Sequence, residues 1–76
     1  MISVNDCVNQ LETNDPNMKV KSVKDYGPDY LVTYEYDGLD EILDPFILIN
    51  KSTGKTSEYS IAYNLDKYYS AKELLR

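Results

Sequence analysis

The chain has 76 residues, 13 acidic and 8 basic side chains, and a formal charge of -5. That length makes residues 1–76 a single small domain and excludes a two-domain enzyme. One cysteine, no histidine and no tryptophan exclude an intramolecular disulfide, a cysteine-rich zinc site and any histidine-based triad.

In chain order, Ser3 is placed to cap a helix, with Asp6 three residues on as a short stand-in for the glutamate of a capping box. Val4, Cys7, Val8 and Leu11 then recur at the spacing of one helix face. Ile2 precedes the cap and is expected to pack back onto the first turns. The helix should stop near Thr13, because Asn14-Asp15-Pro16-Asn17 is a turn cluster and Pro16 restricts Asp15. Cys7, on the apolar face, reads as a small buried hydrophobe.

Met18 to Ser22 alternates, and then Val23 falls out of phase. Either the strand bulges with Met18 and Val20 facing the core, or the inward set changes near Ser22. Tyr26-Gly27-Pro28-Asp29 reads as a turn. The next strand is clear: Tyr30, Val32, Tyr34 and Tyr36 share one face, and Leu31, Thr33 and Glu35 share the other. Asp37-Gly38 follows as a hairpin or sharp turn. Leu39 to Asp44 reads as a short strand or a widened loop. Phe46 to Ile49 is strand-sized, Asn50 to Lys55 is its turn, and Thr56 to Ile61 is a returning partner.

The tail has two readings. Asn64 caps a helix carrying Leu65, Tyr68, Tyr69 and Leu75, or Ser70 caps a short final helix with Glu73 three residues on. Both place helical structure across 65–75, with a break near Ser70 on the second. The fold class that results is α+β: an N-terminal helix, an antiparallel meander of three or four strands, and a C-terminal helix packed on one sheet face.

The charge is unevenly distributed. Residues 25–44 hold Asp25, Asp29, Glu35, Asp37, Asp40, Glu41 and Asp44, with no lysine or arginine among them. Such a block repels phosphate and argues against direct binding to nucleic acid. No apolar run approaches a membrane span of about 20 residues. No basic stretch followed by an apolar segment opens the chain, so the expected location is cytoplasmic.

Chemistry is sparsely provided for. Asp40 and Asp44 are the nearest thing to a paired-acid site, and a domain this size has little room for the cleft a glycosidase needs. Asp37 to Asp44 lacks the spacing of a calcium loop, and Ser52-Thr53-Gly54-Lys55 lacks the glycine-rich context of a P-loop. No catalytic residue, metal or cofactor is assigned. Tyrosine is the informative excess, with eight in the chain. Tyr30, Tyr34 and Tyr36 either pack the sheet with their hydroxyls at the rim or form a recognition face.

These features favour a noncatalytic protein-interaction module that offers Tyr30, Tyr34, Tyr36, Asp37, Asp40, Glu41 and Asp44 to a basic surface on a partner protein. Alternatives are a structural or oligomerising component, with a homo-oligomer among the options, and a small carboxylate-dependent hydrolase. The stretch from Asp44 to Lys55 resembles the last hairpin of PepSY-like domains, where a strand ending in Asp or Asn leads into a Thr-Gly-Lys turn. It is also similar to small proteins of Gram-positive bacteria and their phages. The PepSY-like resemblance implies a helix followed by an antiparallel sheet, and a noncatalytic binding or inhibitory module, often secreted or membrane-linked.

Overall fold

The computed structural model describes residues 1–36, 45–60, 62 and 64–75. Helix α1 (Val4–Asn14) leads into β1 (Met18–Tyr26), β2 (Asp29–Tyr36), β3 (Phe46–Asn50) and β4 (Thr56–Glu58). A short helix α2 (Leu65–Ser70) and strand β5 (Glu73–Leu75) complete the chain. The five strands form one antiparallel sheet in the order β4-β3-β2-β1-β5.

The capping box forms. The Asp6 amide donates to Ser3 Oγ at 3.1 Å and the Ser3 amide donates to the Asp6 carboxylate at 3.4 Å. Two orphan donors are thereby satisfied beside the positive end of the helix dipole. Ile2 packs on the core beyond the cap, as its position before Ser3 predicts. The helix runs through Asn14 and its C-cap is Asp15, one residue past the stop predicted near Thr13. Cys7 and Leu11 are its buried residues.

β1 resolves its phase problem by bulging. Val20 pairs with Tyr34 and Ser22 pairs with Thr33, so Lys21 has no counterpart on β2. The extra residue lets Met18, Val20 and Val23 all point toward α1. The Val20 amide donates to a carboxylate oxygen of Glu12 at 3.0 Å. A side chain of α1 thus satisfies a backbone donor on a stretch of β1 that β5 does not pair.

The β1–β2 turn places Gly27 at φ 71° and follows it with Pro28, whose ring fixes a negative φ. That sign pattern is the one a type II′ hairpin turn requires. At the other hairpin Gly54 has φ 74°. Asn50 Oδ1 accepts from the amides of Ser52 and Thr53, each at 2.9 Å. Gln10 Nε2 of α1 donates to the Gly54 carbonyl at 3.1 Å. The Thr-Gly-Lys segment is therefore a hairpin turn docked to the helix.

Register assigns the two faces. Val32 stands beside Val23 and Ile47, and Tyr30 stands beside Ile49. With Cys7, Leu11, Met18 and Leu75 these side chains form the core under α1. Leu31 faces the other way, between Lys24 and Leu48. It too is fully buried. What covers that second face is α2 with its flanks: Phe46 and Tyr68 meet edge to face at 5.7 Å, and Tyr26 and Tyr59 at 5.6 Å. The two helices therefore lie on opposite faces.

Some details differ from the sequence reading. The described residues form five strands rather than three or four, the returning strand expected over Thr56 to Ile61 is Thr56–Glu58 among them, and helix does not continue across 65–75. Asn64 does cap α2, accepting from the Lys67 amide at 3.1 Å, but Ser70 caps nothing. Its hydroxyl turns back to the Asp66 carbonyl at 2.7 Å, and the chain extends at Ala71. The cause is the bare edge of β1. Val23 and Lys24 there gain Leu75 and Glu73 as ladder partners, which a helix could not supply. The Asp37-Gly38 turn, the Leu39–Asp44 element and Ile61 lie outside the described residues.

Burial pushes the Cys7 thiol up to about 11 from an ordinary value of 9.0. The folded state thus holds the neutral thiol, and the stabilisation is complete below pH 9 and lost as pH rises toward 11. Allowing for screening, it amounts to about 2 kcal/mol. Cys7→Ala leaves a small cavity, so it is expected to be the weaker fold at pH 8, with the gap to the parent narrowing by pH 11. Urea titrations across that range check it; a gap independent of pH would show that the thiol does not ionise on unfolding.

Candidate functional site

The predicted tyrosines separate along β2. Tyr30 is the second residue of the strand and is buried on the α1 side. Its hydroxyl donates to the Ile2 carbonyl at 2.9 Å, and the Lys51 ammonium sits 5.0 Å from its ring centre. The Ile2 amide in turn donates to the Lys51 carbonyl at 2.7 Å. Tyr30 therefore clamps the N-terminal segment, and no part of its ring is offered to a partner.

Tyr34 and Tyr36 lie toward the other end of β2, about 13 and 20 Å away along the strand at its usual rise. They are half-buried on the same face and meet edge to face at 5.4 Å. A hydrogen bond to the Asp15 carboxylate is the main reason the Tyr36 phenol titrates above its ordinary value. Asp15 belongs to the α1–β1 turn, so that turn, the end of β2 and the exposed Glu35 meet at this end of the sheet. The chain leaves the described residues at Tyr36 and rejoins them at Pro45, whose carbonyl accepts from the Tyr34 amide at 3.1 Å. Asp37, Asp40, Glu41 and Asp44 lie between those two anchor points and outside the described residues.

The acidic block is less isolated in space than in sequence. Asp25 meets Lys51 Nζ at 2.6 Å. That hydrogen bond is the first cause of a carboxyl held below its ordinary range, so the pair's stabilising effect is lost only as pH falls through that lowered value. Glu35 stands opposite Lys19 in the β1–β2 ladder, a favourable cross-strand pairing. Asp29 borders a shallow depression of about 240 Å³ shared with Asn50, Thr53, Lys55, Thr56 and Ser57. This hollow has no sequence signature, since its residues come from two separate turns and the strands beside them.

Leu65 and Tyr69, expected on the apolar face of the C-terminal helix, are 48% and 74% exposed, and Leu74, which sequence reasoning did not single out, is 36% exposed. Among the described residues, no three of the metal-ligating acid, cysteine or histidine type cluster together. Nor is any described helix long and apolar enough to cross a membrane.

Two hydroxyls stand out on the second face. Thr33 Oγ1 is shielded from water and meets no hydrogen-bond partner. The Tyr26 hydroxyl also lacks a partner in hydrogen-bonding geometry, although the Tyr59 phenol is close enough to add to the effect of burial and raise its titration above the ordinary range. A buried, unpartnered hydroxyl costs about 1–3 kcal/mol. Thr33→Val keeps the shape and removes the oxygen, so it is expected to raise stability by about 1 kcal/mol. A urea midpoint that stays put or falls would mean the hydroxyl is satisfied in solution.

No family model, curated protein or solved structure matches the chain.

Proposed function

We propose that the protein is a noncatalytic interaction module whose contact surface is the end of the sheet bearing Tyr34 and Tyr36, and whose partner presents a basic protein surface. The observation that carries this reading is the Tyr34–Tyr36 pair, half-buried beside Asp15, at the two anchor points of the segment that holds Asp37, Asp40, Glu41 and Asp44. Tyrosine rings give large rigid contacts with a polar tip, and carboxylates around them steer a cationic partner into register. Tyr30 has no part in this surface. The resemblance of residues 44–55 to PepSY-like domains adds an inhibitory or regulatory sense to the binding.

The test compares the parent with a variant carrying Asp37→Asn, Asp40→Asn, Glu41→Gln and Asp44→Asn. Both are used as bait in a lysate, and the captured protein is purified for titration. A partner is expected whose affinity falls at least about tenfold in the variant, a loss of about 1.4 kcal/mol, and falls again with salt. Circular dichroism should be the same for both baits. A partner that binds both equally well, at any salt concentration, would overturn the reading.

A further inference from the structure

β4 and β5 are the two edges of the sheet, and between them Tyr59 and α2 lie on the second face. What the chain lays there is held in an unusual way. α2 contributes no buried residue. The segment is fixed by contacts that each have one partner in 64–75 and the other in the body of the sheet. Tyr68 meets Phe46. Lys24 Nζ lies 3.9 Å from the Tyr68 ring centre and donates to the Tyr68 carbonyl at 3.0 Å. Lys67 Nζ lies 4.6 Å from the ring centre of Tyr26. The Asp25 amide donates to the Lys72 carbonyl at 2.8 Å, and β5 adds the pairs Val23–Leu75 and Lys24–Glu73.

The face beneath is too apolar to stand bare. Tyr26 and Leu31 are buried, and Leu48 and Phe46 are half-buried. It must be covered, and the chain's own segment demonstrates what fits it: a short aromatic and lysine-bearing helix followed by a strand on the β1 edge. Because every one of those contacts runs between arm and body, a second copy's arm would make the same set without loss.

We propose that residues 64–75 are an exchangeable arm, and that the partner for this face is the same arm of a second copy of the chain, giving a reciprocal dimer. The surface involved is the second sheet face and the β1 edge, distinct from the tyrosine and acidic end. Exchange leaves the rest of the α1 core within each body, with Leu75 of that core supplied by the other copy's arm.

The test has two parts. Sedimentation equilibrium of the full chain, from micromolar to millimolar, is expected to show a monomer passing to a dimer; a monomer throughout overturns the proposal. Lys24 and Glu73 face each other across the β1–β5 ladder, so chains carrying only Lys24→Cys and only Glu73→Cys are then mixed under a thiol redox buffer. A covalent heterodimer in excess of either self-linked species is expected. Because Lys24→Cys also removes the ammonium that meets Tyr68, the mixture is first shown by sedimentation to dimerise; a mixture that dimerises and yields no such heterodimer overturns arm exchange. As a third arm, the double variant Lys24→Cys/Glu73→Cys is oxidised as a dilute monomer to tie each arm to its own body. Its dimer should be lost on oxidation and regained on reduction, whereas a dimer unaffected by that closure also overturns the proposal.

Discussion

Leu31→Ala is expected to destabilise the fold by about 2–5 kcal/mol, as deletion of a fully buried leucine does elsewhere. Leu31 and its neighbour Val32 are both fully buried, yet adjacent strand residues point to opposite faces. Both faces of β2 must therefore be dry. On the α1 side that is unsurprising, since an eleven-residue amphipathic helix lies over Val32. On the other side the cover is a six-residue helix with no buried residue of its own. If that cover were incidental, Leu31→Ala would behave as a surface change, within about 0.5 kcal/mol. A domain of this size has a margin near the lower end of about 5–15 kcal/mol, so the expected loss should populate the unfolded state at room temperature. Urea and thermal unfolding of Leu31→Ala, with Ile49→Ala as the core reference and Ser57→Ala as the exposed one, decide it. A result grouped with Ser57→Ala would remove the second face from the core.

The contrast between β2 and the two ends of the chain explains what the sequence reveals. In β2 the alternation of Tyr30, Val32, Tyr34 and Tyr36 against Leu31, Thr33 and Glu35 is local, and the structure keeps it. The capping box at Ser3 is equally local. Which set of β2 residues lies under α1 depends on pairing, and a slip of one residue exchanges the sets. The burial of Tyr30 could be read only once Ile2 and Lys51 were known to meet it. The acidic block shows the same limit: Asp25 and Lys51 are 26 residues apart in sequence and in contact in space. β5 is the extreme case. Glu73-Leu74-Leu75 is too short to show a period, and Ser70 with Glu73 imitates a helix start. Only the unpaired stretch of β1 makes it a strand.

The Val23 phase error, by contrast, carried its own explanation, and it leads to a deletion experiment. Lys21 is the residue of β1 with no counterpart between the Val20–Tyr34 and Ser22–Thr33 pairs. Removing it leaves Val20 facing in, Ser22 out and Val23 in, which is regular alternation. The core under α1 keeps Met18, Val20 and Val23, and the Val20 amide keeps the Glu12 carboxylate. Deletion of Lys21 is therefore expected to give a folded protein within about 1 kcal/mol of the parent, the cost being lost twist where the bulge was. Removing Lys24, only three residues on, has the opposite consequence. Asp25 would turn to the second face, away from Lys51, and the buried Tyr26 would turn out of its place against Tyr59. A one-residue shift there inverts the rest of β1 up to the turn at Gly27, and the ladder to Lys72 and Glu73 goes with it. That variant should be unfolded at room temperature. Amide spectra and urea titrations of the two deletions separate the outcomes. If both unfold, Lys21 is held by something other than its role as the surplus residue; if both fold, the phase of β1 past Val23 does not matter to the core.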